Sequence, residues 1–351
     1  MTKRLRWMVV FAIVIPMTIV AQYFHRSDLI FPEAAALTIG TWGGEAHAWS
    51  ASKVKLALLP PLAATIGVVF NRLHLPTVIA FTLMVVLIPI ALDLIDSALI
   101  PTISAGALPT LFHITSPWFL VVVFAITVCL SSGLYLGDKF VTISRPRGGD
   151  QSRSDTNDEF DTPTGNSAHV DLENRSANDD LISNRGQDDI DEDLSKSSVT
   201  RRRVLIWFIV LSIIWTLATW WWLPHAALAP PILVSFYEWL KSSNRTNLRF
   251  LKRWASITSG IVIGTIAHQG VSNFAISALV AIALTFAVMT LLHEIHPPTL
   301  AIALLPLIFP ATIAYERAFD VSLAVAVLYG LGLFLPKFIR HHSWTIDPLN
   351  L

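Results

Sequence analysis

The segment PTISAGALPTLF at residues 101–112 recurs, in altered form, as PTLAIALLPLIF at residues 298–309. The two copies lie 197 residues apart in the chain, and the match continues outside them at the same offset. The identical pairs include Pro101/Pro298, Thr102/Thr299, Leu108/Leu305, Pro109/Pro306, Phe112/Phe309, Lys55/Lys252 and Gly67/Gly264. Prolines, glycines and lysines that match in one ungapped register predict an internal duplication, so the fold of one half should recur in the other.

The composition indicates that the chain is a membrane protein. Of its 351 residues, 53% are hydrophobic and only 14% are charged, whereas soluble domains carry about 25% charged residues. The formal net charge is zero and no basic groove is evident, so no nucleic-acid partner is predicted. Cys129 is the only cysteine, which excludes an internal disulfide and a cysteine-based zinc site. The expected fold class is therefore all-α, a polytopic transmembrane helical bundle in a lipid bilayer.

Apolar stretches of two lengths alternate along the chain. The longer ones approach the roughly 20 residues that a spanning helix needs, and they are residues 7–23, 54–70, 77–99, 118–136, 204–223, 254–269, 274–292 and 321–338. The first follows a basic start but no convincing cleavage site follows it, so we expect an uncleaved span. The shorter pieces are residues 31–42, 101–114, 230–240 and 297–313, each with a proline at or near its start. Proline suits the first helical turn, so these pieces are predicted to be short or discontinuous helices.

Composition also divides the chain into three regions. Residues 1–143 are the predicted first membrane repeat, and residues 204–351 are the second. Residues 144–203 between them are rich in Asp, Asn and Ser and contain few large apolar side chains. Such a segment cannot bury enough apolar surface to offset its ordering entropy, so we predict an acidic, disordered cytoplasmic linker. A plain tether and a regulatory segment are both compatible with this composition.

Lysine and arginine collect at the ends of both halves, near residues 3–6, 139–147, 201–203 and 337–340. The positive-inside rule then predicts that the N-terminus, the linker and the C-terminus face the cytoplasm in a multi-pass protein of the cell (inner) membrane. Each half would cross an even number of times, which makes the halves parallel repeats. A fifth basic cluster at residues 241–253 favours six segments per half. Four spans per half, with re-entrant short pieces, are the alternative.

The strongest local signal of chemistry is the sequence HEIHPPT at residues 293–299. Its two histidines are three residues apart and are followed by two prolines, which does not fit a zincin helix, so no metal site is predicted. The short helix that begins here offers a dipole end and free N–H groups that favour a small anion. The candidate substrate-binding residues are His296, Pro297, Pro298 and Thr299, with Pro101 and Thr102 in the equivalent turn of the first half.

Carboxylates beside or within apolar runs form a second set of candidates, because ionisable groups at bilayer depth are costly and are usually functional. Glu33 lies in the first turn of a short helix, where a carboxylate is also favoured by the helix dipole. Asp93 and Asp96 are three residues apart, which predicts a shared helix face. Glu33, Asp93 and Glu294 are therefore possible proton- or cation-coupling groups, and placement at the membrane interface is the alternative for the two aspartates.

The tripeptide His296-Pro297-Pro298 follows an apolar span, and an apolar segment at residues 231–236 with a basic loop precedes it. This arrangement resembles the HPP family of integral membrane proteins, which is named for the tripeptide. The resemblance covers about residues 230–309, and the internal repeat extends it to the first half. Some members are implicated in nitrite transport in plastids and cyanobacteria, so the resemblance implies transport of that anion. The chain has Thr299-Leu300-Ala301 where members usually have Ala-Gly-Ala.

Together these patterns favour a secondary transporter or channel for a small solute, with a small inorganic anion such as nitrite as the first candidate. The alternative is a non-transporting membrane scaffold or sensor that signals through the acidic linker, and an intramembrane enzyme comes third. No P-loop, dinucleotide-binding fingerprint or nucleophile elbow occurs, so neither a cofactor nor enzymatic activity is predicted. A second copy of the chain is a partner that the sequence leaves open.

Overall fold

The structure, a computed structural model, describes residues 3–42, 52–97, 99–144, 202–220, 229–242, 246–308 and 314–341. Its α-helices are α1 (Lys3–Tyr23), α2 (Glu33–Trp42), α3 (Lys53–Arg72), α4 (Thr77–Leu94), α5 (Pro101–Phe112), α6 (Pro117–Ser144), α7 (Arg202–Trp220), α8 (Pro230–Lys241), α9 (Asn247–Gly270), α10 (Phe274–Leu291), α11 (Pro297–Leu304) and α12 (Ala314–His341). Two 3-10 turns cover Ser27–Leu29 and Leu305–Leu307. The prediction of an all-α helical bundle is confirmed. Residues 145–201, almost all of the predicted linker, lie outside the described residues.

The order and bounds of the helices repeat between the halves. Helices α4 and α10 begin and end at equivalent positions of the 197-residue offset, and so do α6 and α12. The turn after α4 and the turn after α10 also match, because Asp96 and His293 have positive φ angles of 48° and 53°. Both halves contribute to one compact unit, residues 1–136 and 205–351, while residues 137–204 form a separate unit. How the repeats are oriented in a bilayer stays a prediction.

Four short helices, α2, α5, α8 and α11, pack together inside the unit that both halves build. Helix α2 contacts α5 and α11, and α8 contacts the same two helices, so the four contacts close a ring. Prolines start three of these helices, and Pro32 directly precedes the fourth. Their residues are buried on every face, for example all of Pro101–Leu111 in α5. A helix that is apolar all round belongs to an interior, so this ring is the core of the unit.

The longer helices surround the ring and expose apolar side chains. Exposed residues of α4, for example, recur every three or four positions, at Ile79, Leu83, Leu87, Ile90 and Leu94. Among the described residues, six helices are long and apolar enough to cross a membrane: Lys53–Arg72, Thr77–Leu94, Pro117–Leu136, Arg202–Trp220, Phe274–Leu291 and Glu316–Phe334. Apolar stripes of this size need lipid or a partner as their surroundings. The chain therefore has the architecture of a multi-pass membrane protein.

Two of the eight predicted spans fall short of the length or hydropathy of a spanning helix. The apolar part of α1, Met8–Tyr23, is shorter than the six spans, and α9 is not among them. The first two turns of α9 carry Arg249, Lys252 and Arg253, whose charges lower its hydropathy. The 12-residue α5 and the 8-residue α11 are about 18 and 12 Å long at 1.5 Å per residue. Neither covers the roughly 30 Å of hydrocarbon alone, and the number of crossings per half stays a prediction.

Glycines at equivalent positions of the two halves allow the short helices α5 and α11 to pack closely against the long helices α3 and α9. A Cβ atom on Gly67 of α3 would lie 2.2 Å from the carbonyl oxygen of Gly106 in α5. A Cβ atom on Gly264 of α9 would lie 2.0 Å from the carbonyl oxygen of Ala303 in α11. Both distances are far below any normal contact, so only glycine permits this backbone approach. The identical glycines of the repeat, Gly67 and Gly264, therefore serve the same close helix packing in both halves.

Candidate functional site

The second half contains a buried polar cluster around His296, which immediately precedes α11 and is 1% exposed. Proline disfavours helical geometry in the residue before it, and His296 accordingly has an extended backbone, with φ −123° and ψ 102°. Pro297 then occupies the first turn of α11, where its missing N–H is tolerated. The HPP tripeptide therefore ends the α10–α11 turn and brings the imidazole against α8 and α12.

Both ring nitrogens of His296 have partners. Nε2 lies 2.6 Å from the hydroxyl of Ser235 in α8 and 3.3 Å from the hydroxyl of Tyr329 in α12. Nδ1 lies 3.3 Å from a carboxylate oxygen of Glu238, one turn after Ser235 on the same helix. The Tyr329 hydroxyl also bonds to the Ser235 hydroxyl and donates to the Ser235 carbonyl oxygen at 3.2 Å. One chain of polar contacts thus runs from Glu238 through His296 to Ser235 and Tyr329, with hydrogen bonds at the Ser235 and Tyr329 end and an ion-pair contact at Glu238.

Trp239 joins this chain to a second, charged group. Its indole stacks on the Tyr329 ring with centroids 5.1 Å apart and planes at 8°, and its Nε1 donates to the Tyr329 carbonyl oxygen at 3.1 Å. The same indole ring also contacts Arg253, whose guanidinium carbon lies 5.6 Å from the ring centroid. A Cβ atom on Gly332 would come within 2.7 Å of the indole, so glycine makes room for the large ring. Cation–π contact and stacking together fix the position of Arg253 beside the cluster.

Two arginines of α9 bind Glu294, the second residue of the HEIHPPT sequence. Arg253 Nε donates to Glu294 Oε1 at 2.7 Å, and Arg249 Nε donates to the same oxygen at 3.2 Å. The side chains of Arg253 and Glu294 are only 10% and 13% exposed. Nη1 of Arg253 is buried and has no hydrogen-bond partner among the described residues. A buried guanidinium nitrogen without an acceptor costs about 1–3 kcal/mol, which makes it a site for an anionic oxygen.

The start of α11 does not offer the free N–H groups that the sequence led us to expect. Pro297 and Pro298 have no N–H, and the N–H of Thr299 donates to the His296 carbonyl oxygen at 3.0 Å. The Thr299 hydroxyl pairs with that of Ser256 in α9 at 3.3 Å. The prediction that these backbone N–H groups bind an anion is therefore wrong, because the two prolines that start the helix have no N–H group. Nor is His296 a free donor, since both its nitrogens are engaged.

The first half has a different buried polar group, where α2 packs on α5 in the ring of short helices. Glu33, in the first turn of α2, is 2% exposed, and Ser104 of α5 donates a hydrogen bond to its Oε1. Its Oε2 is buried without a hydrogen-bond partner among the described residues, and so is the hydroxyl of Thr102. Pro101 has no N–H, and the N–H of Thr102 donates to the Leu99 carbonyl oxygen at 3.1 Å. Glu33 therefore lies in the interior with one carboxylate oxygen that has no partner among the described residues, and its coupling role stays a prediction.

The two aspartates lie away from this interior. Asp93 is half-buried near the end of α4, and Asp96 is exposed in the turn that follows it. Because α4 ends at Leu94 and Asp96 has a positive φ, the prediction that Asp93 and Asp96 share a helix face is wrong. Lys55 binds this turn instead, donating from Nζ to the Ile95 carbonyl oxygen at 2.7 Å.

Sequence reasoning missed the residues that complete the His296 cluster. Ser235 was noted only as part of an apolar segment and Arg253 only as part of the basic cluster at residues 241–253, and Tyr329 and Trp239 were not singled out. The available signal was a hydroxyl or charge within an otherwise apolar helix, which needs a partner when it is buried. That signal identifies the residue but not its partner, because Ser235 and Tyr329 are 94 positions apart.

Comparison with known proteins adds no relative. No family model matches the chain, and neither a curated protein nor a solved structure shows significant similarity to it. Among the described residues, no group of three or more His, Cys, Asp or Glu side chains is placed to bind a metal ion.

Proposed function

We propose that this chain is an integral membrane transporter or channel for a small solute, and that the solute is a small inorganic anion such as nitrite. The observation that carries the proposal is the buried Arg253 guanidinium, whose Nη1 lacks an acceptor among the described residues. Guanidinium N–H groups bind the oxygens of small oxyanions strongly, and most strongly where water is excluded. The Arg253 side chain stands beside the ring of short helices, where α9 packs on α11.

The surroundings of Arg253 support transport rather than a purely structural ion pair. Structural arginines at bilayer depth are costly and are normally fully paired. Transporters built from repeats place substrate sites where short or discontinuous helices of the two halves meet. The contacts of α2 with α11 and of α5 with α8 are such meetings. His296, Pro297, Pro298 and Thr299, with Pro101 and Thr102 in the first half, build these short-helix starts and position the site without donating to the anion.

Family and orientation complete the proposal. The HPP tripeptide and its apolar context support membership of the HPP family, and with it nitrite as the first anion to test. The basic clusters support a cell (inner) membrane location with both termini and the linker in the cytoplasm.

Uptake into proteoliposomes tests the proposal. Nitrite and nitrate are compared with formate and chloride, using the intact protein and Arg253→Lys, which keeps the charge opposite Glu294 but removes the guanidinium fork. Arg249→Lys is the matched control, because Arg249 binds the same Glu294 oxygen from a more exposed position. We expect saturable uptake of nitrite that Arg253→Lys lowers severalfold and Arg249→Lys leaves nearly intact. No saturable uptake of any anion by folded, inserted protein would overturn the proposal.

A further inference from the structure

The chain of polar contacts from Glu238 through His296 to Ser235 and Tyr329 contains more polar groups than an anion site at Arg253 requires. Four polar side chains from α8, α12 and the α10–α11 turn are bonded to one another within an apolar interior. We propose that this chain carries a proton, so that one proton enters with each anion; the proposal rests on the transport function inferred above. From the sequence, His296 was a candidate binding residue and Glu238 was one of the carboxylates beside apolar runs, whereas Ser235 and Tyr329 were not candidates.

The imidazole geometry fits a proton relay. Only histidine has two nitrogens of which one can take up a proton while the other releases one, near physiological pH. In His296 the two nitrogens point to different partners, with Nδ1 at 3.3 Å from Glu238 and Nε2 at 2.6 Å from Ser235. A buried histidine needs a partner for each ring nitrogen whatever its role, so the chemistry of the two partners is what distinguishes His296. Here both bonds involve groups that exchange protons, a carboxylate and a hydroxyl.

The two ends of the chain differ in exposure, which gives the relay a direction. The Glu238 side chain is 13% exposed, whereas Ser235 and Tyr329 are fully buried. Glu238 lies in the last turn of α8, directly before the basic cluster at residues 241–253. A proton can therefore exchange with water at Glu238 and with a solute only at the Ser235 end.

Charge around the chain favours one proton for each monovalent anion. The ionisable groups that contact His296, or contact its neighbours in the cluster, are Glu238 on α8, Arg249 and Arg253 on α9, Glu294 on the α10–α11 turn and Tyr329 on α12. The same elements also carry further ionisable side chains at Tyr237, Lys241, Lys252, His268, His293, Glu316, Arg317 and Asp320, and α2 carries Glu33. Helix α10 contributes no ionisable side chain. Within the cluster itself, Arg249 and Arg253 balance Glu238 and Glu294, so one added proton gives these four groups and His296 a net charge of plus one. A monovalent anion at Arg253 would neutralise it, which avoids an uncompensated charge in low dielectric.

The transfer conserves protons at each step. Protonated Glu238 gives its proton to Nδ1 of His296, which leaves a carboxylate and an imidazolium. The imidazolium releases its other proton from Nε2 to the Ser235 oxygen as the Ser235 hydroxyl proton passes to the bound anion, either directly or through the Tyr329 hydroxyl, which gives up its own proton in the same step. Ser235 and Tyr329 then each hold one proton again, His296 holds its proton on Nδ1 instead of Nε2, and one proton has moved from Glu238 to the anion. The same steps in reverse return the proton.

Proton counting in proteoliposomes tests this inference. Nitrite and nitrate uptake by the intact protein is measured with a pH dye inside, with potassium and valinomycin holding the membrane potential at zero. Protein-free vesicles correct for leak of nitrous acid. Glu238→Gln keeps the size and a hydrogen bond to His296 but cannot hold the proton. Glu316→Gln, at an exposed carboxylate near the start of α12, is the matched control.

We expect the intact protein and Glu316→Gln to take up about one proton per anion, with uptake raised by an inward proton gradient. Glu238→Gln should still exchange internal for external anion but should not accumulate it against a gradient. Anion uptake by the intact protein without proton entry would overturn the relay and leave the transport function standing. Coupling retained in Glu238→Gln would also overturn it. Absence of uptake by the intact protein would overturn both proposals, and the proton count does not depend on the variant folding.

Discussion

The two halves of this molecule share a backbone plan and differ in how they treat buried charge. Position 294 of the second half is a glutamate bound by two arginines, whereas the equivalent position of the first half, 97, is a serine. Conversely, the buried carboxylate Glu33 occupies a position that is Pro230 in the second half. The two halves therefore have the same order of helices but different buried polar residues. Among the described residues, only the second half has the buried arginine and histidine on which the anion and proton proposals depend.

The largest expected difference between the halves lies at Glu294, which binds Arg249 and Arg253, and at its equivalent, Ser97. Glu294→Ala leaves Arg253 and Arg249 without their shared carboxylate, and we expect it to lower the free energy of unfolding by about 3–5 kcal/mol. Ser97→Ala removes only a 3.4 Å hydrogen bond from the Leu99 N–H, so its expected cost is at most about 1 kcal/mol. Thermal unfolding of both variants in one detergent measures the difference. Equal losses would show that Glu294 carries no special share of the stability.

The glycines test the symmetric part. Gly67→Ala and Gly264→Ala each drive a methyl group into a backbone carbonyl, at Gly106 and Ala303 respectively. We expect each to destabilise by about 1–3 kcal/mol, because backbone cannot yield as a flexible side chain does. Gly330→Ala is the control, since nothing lies within 4 Å of its added Cβ, and it should be neutral or slightly stabilising. A large effect at one glycine alone would contradict the backbone symmetry.

Ser235 and its equivalent in the first half, Thr38, differ in the kind of hydrogen bond that they make. Ser235 bonds to a residue of another element, whereas Thr38 bonds within its own helix. Ser235→Ala removes the 2.6 Å partner of His296 in the interior, and we expect a loss of about 1–3 kcal/mol. Thr38 donates to the Ala34 carbonyl oxygen of its own helix at 2.6 Å, so Thr38→Val should cost about 0.5–1 kcal/mol. Paired unfolding curves measure both costs. A greater loss for Thr38→Val would mean that the His296 chain is not a stabilising contact.

The smallest expected difference lies at the ends of α3 and α9. Asn71 donates from Nδ2 to the Pro109 carbonyl oxygen at 2.5 Å and to that of Ile114 at 3.2 Å. Its equivalent, His268, instead makes an edge contact with the Phe274 ring at 5.7 Å. Asn71→Ala should cost about 1 kcal/mol and His268→Ala about half of that. Differential scanning fluorimetry with replicate preparations resolves the two if Asn71 caps α5 as the structure shows.

Much of the fold was readable from sequence because its signals are local or periodic. Apolar length predicted the long helices, proline placed the starts of α5, α8 and α11, and the 197-residue offset predicted that the helices recur. The failures have physical causes. Asp96 was assigned to a helix that ends at Leu94, since a positive-φ turn leaves little trace in composition. The anion site at the α11 start failed because the proline pair that marks the turn also removes its donors.

By itself, the sequence determined that this is an all-α, duplicated membrane protein, because hydropathy and repeat register are properties of the chain alone. It also identified His296 and Glu33 as polar groups in apolar surroundings. Only the tertiary structure decided which groups meet. The ring of short helices, the stacking of Trp239 on Tyr329 and the incompletely bonded Arg253 depend on packing between helices far apart in sequence. Such contacts depend on how side chains pack in three dimensions. The periodicity of a sequence shows which face of a helix is buried but not which residues that face contacts.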